Sequence, residues 1–222
     1  MFLASTWVIP ALLAITLHEA AHGYIAKRLG DDTAWQLGRV TFNPIKHIDP
    51  FGTIVLPAIL LLTHAPFLFG YAKPVPVRFG RLRNPRRDMV WVAAAGPAMN
   101  LLMATAAALL LHTVAFLPPV PGQWVLYNLV HAIEFNVLLA IFNLIPLPPL
   151  DGGRVAVGVL PDALATPLAR LERYGTAIIV GLFLILPVIA ARAGSHFDLF
   201  AQIIGRPTAA VIKTILLLTG TR

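Results

Sequence analysis

Residues 6–29, TWVIPALLAITLHEAAHGYIAKRL, combine a membrane-length apolar run with a cluster of ionisable side chains. The run is long enough to cross a bilayer as a helix, and Lys27 and Arg28 before Gly30 indicate where that helix ends. Inside it, residues 18–22 read His-Glu-Ala-Ala-His. Two imidazoles four residues apart lie about 40° from each other around a helix, so both can reach one metal ion. Because such groups are costly to bury in lipid, the motif predicts a functional site.

The composition is that of a membrane protein. Hydrophobic residues make up 58% of the 222 residues and charged residues only 12%, whereas a soluble domain has about a quarter charged. The pattern predicts an all-α polytopic fold with about five to six transmembrane helices, built as a single integral-membrane domain over residues 1–222. The predicted apolar segments are 6–29, 51–69, 89–117, 124–145, 174–191 and 199–219.

The basic residues predict the orientation in the membrane. Thirteen of the 17 Lys and Arg residues fall within residues 27–46, 73–87 and 154–173, which the positive-inside rule places on the cytoplasmic side. The net charge of +7 therefore reflects membrane orientation, and no nucleic-acid partner is expected. We expect a multi-pass protein of the inner or plasma membrane, with its active site near the cytoplasmic face.

The segment 51–69 has two interpretations. If it spanned the bilayer, the basic regions 27–46 and 73–87 would lie on opposite faces. We therefore favour a small re-entrant element after the first helix, followed by a membrane-embedded β-strand at residues 69–77. Such non-helical backbone is tolerated at membrane depth only when it is buried in protein or faces a wet cavity. A spanning helix remains the alternative.

A zinc site that performs catalysis usually has three protein ligands and one open position. The chain contains no cysteine, so nitrogen and oxygen atoms must hold the metal. Besides His18 and His22, we choose Asp151, which reaches the same membrane face after a proline-broken helix. The alternative is His131 with Glu134, but Glu134 precedes Asp151 by 17 residues, roughly 25 Å along the span. We interpret that pair as polar groups near the far surface, with a substrate or ion role left open.

Two further side chains are assigned to catalysis. Glu19, beside the first ligand, can act as general base toward water activated by the metal. Asn143, eight residues before Asp151, can donate a hydrogen bond to the oxyanion of a tetrahedral intermediate. The alternative for Asn143 is a hydrogen bond to carbonyls freed by the broken helix. Asn100 is interpreted as a helix–helix hydrogen-bonding residue that can also line the cleft.

Three blocks of this sequence resemble the site-2 protease family of intramembrane zinc metallopeptidases. They are Leu17–Gly23 (LHEAAHG), Ala95–Asn100 (AGPAMN) and Asn143–Gly153 (NLIPLPPLDGG). The resemblance covers about residues 6–160, which we take as the catalytic core, with C-terminal helices at about 170–219. Residues 42–50 and 70–76 resemble the compact bacterial branch of the family, and we expect no PDZ domain.

The resemblance implies one Zn²⁺ per chain, held by His18, His22 and Asp151, with Glu19 as base and Asn143 assisting the intermediate. It implies a transmembrane protein or peptide as substrate within the lipid bilayer, as in regulated intramembrane proteolysis. It also implies that an extended substrate adds beside a membrane-embedded strand, for which residues 69–77 are the candidate. An adaptor or a homo-oligomer is left open.

The competing interpretation is a membrane zinc carrier or sensor without proteolytic activity. A carrier needs polar groups at several depths, whereas the strongest ligands here cluster near one face. Glu19 would also have no role in a carrier. An inactive family member that serves as a scaffold is a third interpretation, and the presence of every catalytic residue argues against it.

Overall fold

The computed structural model describes residues 2–55, 58–59, 62, 72–192 and 198–221. Its regular elements are helical throughout that part of the chain, and no β-strand occurs there. The α-helices are α1 (Phe2–Arg28), α2 (Thr33–Gln36), α3 (Pro85–Leu110), α4 (Pro119–Asn143), α5 (Asp151–Val159), α6 (Asp162–Arg170), α7 (Glu172–Val180), α8 (Leu186–Arg192) and α9 (Arg206–Leu218). Short 3₁₀ turns cover Pro44–His47, Phe79–Arg81 and Leu111–Phe116, and π-helical turns cover Pro50–Val55, Gly181–Ile185 and Ala201–Gly205.

Five helical stretches in the described residues are long and apolar enough to cross a membrane. They are Ser5–Arg28, Pro85–Phe116, Pro119–Asn143, Glu172–Ala190 and Ala201–Leu218. These stretches coincide with five of the six predicted apolar segments. The all-α polytopic class with about five to six transmembrane helices is therefore confirmed. The predicted end of the first helix also agrees, since Gly30 follows α1 with a φ of 117°.

The centre of the molecule is formed by α1, α3 and α4, which pack against one another. Small side chains dominate the contact between α3 and α4, and one residue of α9 completes it. The buried residues of this cluster are Ala104, Ala107, Ala108, Ile133, Val137 and Ile215. Alanine at three of these positions lets the axes of α3 and α4 approach closely.

The short helix α5 is fastened to the start of α3 by Arg86. The Arg86 guanidinium donates to the carbonyls of Gly158 and Leu160, and it pairs with Asp162 at 2.5 Å. These contacts satisfy backbone acceptors that the end of a helix leaves free. A Cβ on Gly158 would lie 2.3 Å from Val90 Cγ2, so the two helices touch closely. The C-terminal end of α5 is thus held against the start of α3.

Residues 72–78 form an irregular segment. The predicted strand at 69–77 is not formed by residues 72–77, the part of it that the structure describes. The reason lies in the hydrogen bonds. The Lys73 N–H donates to the His47 carbonyl, and the Val75 and Arg78 N–H groups donate to the carboxylates of Glu19 and Asp31. Side chains and a turn therefore take the donors that a β-ladder would use.

The re-entrant element is only partly covered by the structure. Of residues 51–69, only 51–55, 58–59 and 62 are described, and residues 51–55 belong to a π-helical turn. The choice between a re-entrant and a spanning segment therefore stays a prediction.

Asp31 ties the irregular segment to the end of α1. Its fully buried carboxylate accepts hydrogen bonds from Thr33 N at 3.0 Å, Thr33 Oγ1 at 2.5 Å and Arg78 N at 2.6 Å. Burial alone would raise the pKa of the Asp31 carboxyl. The hydrogen bonds, together with the charge of Arg81, outweigh burial and hold that pKa below its ordinary value. Ionised Asp31 therefore stabilises the fold.

Asp31→Asn should lower the free energy of unfolding by about 2 kcal/mol at neutral pH, because it removes a charged acceptor of three hydrogen bonds. Since the folded-state pKa is lowered, this stabilisation is present above the unfolded-state value of about 3.9 and is lost as the pH falls below it. The difference in heat-unfolding midpoint between Asp31→Asn and the unmodified protein should thus shrink as the pH is lowered toward 3. Asp32→Asn, at a half-exposed side chain, is the control, and an equal loss in both variants would contradict the account.

Candidate metal centre

The predicted ligands His18, His22 and Asp151 converge in the structure. One turn of α1 separates the two imidazoles, whose Nε2 atoms lie 3.1 Å apart. Asp151, the first residue of α5, places its Oδ2 atom 3.1 Å from His18 Nε2 and 3.3 Å from His22 Nε2. All three residues are buried, with exposed fractions of 6–9%. Two stretches of sequence 129 residues apart (151 − 22) thus form one cluster that could hold a metal ion.

The other ring nitrogens determine which tautomer each histidine adopts. His22 Nδ1 lies 2.7 Å from the carbonyl oxygen of Val92, which can only accept, so this nitrogen is the donor. His18 Nδ1 lies 2.6 Å from Asn100 Oδ1. The amide nitrogen of Asn100 donates to two oxygens, which fixes its Oδ1 as an acceptor. Both Nε2 atoms therefore present lone pairs to the centre of the cluster.

Asp151 Oδ2 is a buried oxygen without a hydrogen-bond donor in the part of the chain that the structure describes. It faces two imidazole nitrogens that have no proton to offer, so three electron pairs meet at one point. Such an arrangement is repulsive unless a cation lies between the atoms. Two imidazoles and one carboxylate form a donor set that zinc accepts, with a position left for water or substrate. The residues present therefore fit the zinc that the sequence predicts.

Asn100 links the cluster to the helical core. It is fully buried on α3, and besides His18 it contacts the carbonyl of Ala14 at 3.2 Å and Asn136 Oδ1 at 2.8 Å. Asn136, fully buried on α4, donates in turn to the Ala132 carbonyl at 2.8 Å. Asn100 therefore has both the helix–helix role expected from the sequence and a role in orienting a ligand.

The backbone of α3 passes directly over the two imidazoles at Gly96. A Cβ at this position would lie 2.5 Å from His22 Nε2 and 2.6 Å from His18 Nε2, distances that contacts with real Cβ atoms essentially never show. Only glycine leaves room for both rings. The neighbours that Gly96 accommodates are thus two of the candidate metal ligands.

The two glycines after Asp151 also serve close packing. A Cβ on Gly152 would lie 2.2 Å from the Leu144 carbonyl oxygen, and one on Gly153 would lie 2.1 Å from Pro148 N. Both glycines belong to α5 and neither has a positive φ. Their role is to let the proline-rich turn fold back over the start of α5. This close packing positions Asp151, and neither glycine needs a positive φ to allow it.

Glu19, the predicted general base, is half-buried and lies at the edge of the irregular segment. Its Oε2 accepts the Val75 N–H at 2.6 Å. Glu19 is not one of the three clustered ligands. This hydrogen bond places the segment 72–78 beside the helix turn that carries the ligands.

Asn143 closes the last turn of α4, where its amide nitrogen donates to the Leu139 carbonyl at 3.0 Å. This contact with its own helix is of the kind that the alternative interpretation expects. A role at the oxyanion stays a prediction, because it requires the amide to turn away from Leu139.

The second pair considered, His131 and Glu134, does not assemble a metal site. His131 Nδ1 bonds to the Thr6 carbonyl at 2.8 Å, and its ring stacks on Trp7 at 3.9 Å. Among the described residues, no cluster of three or more metal-binding side chains forms besides His18, His22 and Asp151.

Two groups that hold the ligands were missed from the sequence. Asn136 is a polar residue within an apolar span, a signal that could have been used. The carbonyl of Val92 is a backbone group, so the residue type at this position does not predict its role.

Gly96→Ala should lower zinc affinity about 10–100-fold, because a methyl group would displace both imidazoles from their positions. The measurement is zinc retained by the purified protein against a graded series of chelator concentrations. Gly181→Ala is the matched control, since a Cβ at that helical position meets no atom within 4 Å. Unchanged zinc affinity in Gly96→Ala would show that α3 does not constrain the ligands.

A family model and several similar proteins all indicate the same protein family. A family model described as peptidase family M50 matches residues 119–188. The "Putative zinc metalloprotease YwhC" of Bacillus subtilis (strain 168) is 36% identical over 212 residues, which cover 88% of this chain and 91% of that protein. The "Putative zinc metalloprotease Rip2" of Mycolicibacterium smegmatis is 30% identical over 179 residues, covering 80% of this chain and 66% of that protein. Rip2 of Mycobacterium tuberculosis (strain H37Rv) is 30% identical over 174 residues, covering 78% and 64%.

No solved structure matches the chain. The similarity to YwhC nevertheless extends over most of both sequences, and the described helices include five of membrane-spanning length. The chain therefore belongs to peptidase family M50, the site-2 proteases, and is a multi-pass membrane metalloprotease.

Proposed function

We propose that this protein hydrolyses peptide bonds in or near the transmembrane segments of membrane-anchored substrates, using one Zn²⁺ held by His18, His22 and Asp151. The observation that carries the proposal is the buried Asp151 Oδ2, which lacks a donor in the described structure and faces two imidazole lone pairs. Two of its three residues, His18 and His22, belong to α1, a helix of membrane-spanning length. A substrate must therefore reach it at or within the bilayer.

Zinc, when bound, supplies a Lewis acid that polarises a carbonyl and lowers the pKa of a water molecule to near 7. The remaining chemistry belongs to the chain. The carboxylate of Glu19, one residue after the first ligand, accepts a proton at Oε1 or Oε2 and passes it to the leaving amine. The amide nitrogen of Asn143 donates to the oxyanion once it releases the Leu139 carbonyl.

Substrate binding and the freeing of Glu19 are linked through Val75. The Val75 N–H holds the Glu19 carboxylate at 2.6 Å. A peptide that adds beside residues 69–77 in an extended form needs backbone donors from this segment. If the peptide takes the Val75 N–H, Glu19 becomes available as a base. This route makes catalysis depend on an unwound, extended substrate, which is the form in which a peptide bond can be cleaved.

The orientation supports an active site near the cytoplasmic face. The basic residues cluster after the end of α1, before the start of α3 and around α5 and α6. His22 lies near the end of α1, and Asp151 is the first residue of α5. By the positive-inside rule this end faces the cytoplasm, with the protein in the inner or plasma membrane of the cell. The substrates are then membrane-anchored proteins cut near their cytoplasmic side, as in regulated intramembrane proteolysis.

Glu19→Gln should reduce cleavage of a single-span reporter in proteoliposomes by about 10²–10⁴-fold, because it removes the proton acceptor. Zinc content should remain at the level of the unmodified protein, because Glu19 is not a ligand. Glu172→Gln, at an exposed surface ion pair, is the matched control and should cleave normally.

This experiment also separates the protease from the carrier or sensor. Persistent cleavage by Glu19→Gln would contradict the proposed mechanism. An unmodified protein that binds zinc but never cleaves the reporter would favour the carrier.

A further inference from the structure

Glu134 on α4 and Lys213 on α9 are charged side chains outside the metal centre that lie within membrane-length spans. Glu134 is exposed on α4, nine residues or roughly 13 Å from the end of that helix at Asn143. Lys213 is exposed on α9, five residues or roughly 7 Å from its end at Leu218. Neither forms an ion pair or hydrogen bond within the described chain. Charged groups facing lipid are costly, and acyl chains offer them no partner.

A groove of about 310 Å³ opens beside Glu134, between α4 and α9. Glu134 and Leu138 line one wall, and Gly205, Thr208 and Ala209 line the other. The Thr208 hydroxyl is buried and finds no hydrogen-bond partner among the described residues. The groove is mostly apolar, but it contains the exposed Glu134 carboxylate, which a lipid tail cannot satisfy.

The wall formed by α9 suits a second helix. Gly205, the last residue of the π-helical turn before α9, is followed at intervals of four residues by Ala209 and Lys213, so the three lie along one side of this helical stretch. A Cβ on Gly205 would meet no atom closer than 3.9 Å, which leaves its surface open. Small residues at this spacing allow another helix to approach closely in a membrane. Lys213 then stands at the outer edge of the contact.

We propose that two copies of this chain form a two-fold symmetric dimer through the α4–α9 face, with Glu134 of each copy paired with Lys213 of the other. The face carries both charge signs and is therefore complementary to itself, as an isologous interface requires. Both copies have the same orientation in the bilayer, so the two-fold axis runs along the membrane normal. One dimer satisfies four charged groups at once.

The depths of the charged groups are compatible with this pairing. Ala209 and Glu134 line the same groove, and Lys213 lies four residues, or about 6 Å, beyond Ala209 along α9. The combined length of a glutamate and a lysine side chain spans that offset. The metal ligands belong to α1 and α5, so the dimer leaves the cluster of His18, His22 and Asp151 outside the contact.

The absence of cysteine from the chain makes a direct test possible. Ala209→Cys places a thiol close to the proposed axis, where it meets its own copy. Oxidation in native membranes should convert this variant to a disulfide-linked dimer. Leu102→Cys, exposed on α3 away from the groove, is the control and should remain monomeric. Monomeric Ala209→Cys, or equal cross-linking at both sites, would overturn the proposal.

Charge exchange in the Ala209→Cys background tests the pairing itself. Glu134→Lys alone and Lys213→Glu alone should each reduce cross-linking about tenfold, and combining them should restore it. If a lipid or another protein occupied the face, the combined variant would not recover, and this result would overturn the dimer. Glu134→Gln alone and Lys213→Gln alone should also reduce cross-linking, with smaller disturbance of the structure. Zinc content of each variant reports folding independently, and cross-linking unaffected by any of these changes would also overturn the pairing.

Discussion

The meeting of three electron pairs inside an apolar molecule is the constraint on which the rest of this structure depends. His18 Nε2, His22 Nε2 and Asp151 Oδ2 lie 3.1–3.3 Å from one another, buried and without protons between them. Without a cation this arrangement would separate, since burial removes the water that could screen it. The packing of the fold must therefore hold the three groups close together and leave their lone pairs available to bind a metal.

Backbone segments that pack closely against the ligands hold them in place. The α3 backbone reaches the two imidazoles only because residue 96 is glycine, and α5 presents Asp151 only because Gly152 and Gly153 admit the proline-rich turn. Asn100 and the Val92 carbonyl then hold the distal ring nitrogens. Ligand geometry thus depends on helix packing through three glycines, although none of them touches substrate or metal through a side chain.

Much of this arrangement could be predicted from the sequence, and the remainder has physical reasons for escaping prediction. Span positions follow from hydropathy, which is a property of composition, and five spans were located within a few residues. Asp151 could be found because the charge pattern places it at the same membrane face as His18 and His22. The Val92 carbonyl could not be found, because every residue has one. A strand was expected at residues 69–77, but the destinations of the Val75 and Arg78 N–H groups depend on where Glu19 and Asp31 lie in space.

The central claim is that the chain holds zinc through two imidazoles and one carboxylate. X-ray absorption at the zinc edge of the purified protein measures this set most directly. The account predicts zinc surrounded only by nitrogen and oxygen at about 2.0–2.1 Å, with the multiple scattering of two imidazoles and no sulfur. In Asp151→Ala the bound zinc should be lost or should exchange freely. Zinc that remains at full occupancy with an unchanged spectrum in Asp151→Ala would contradict the account.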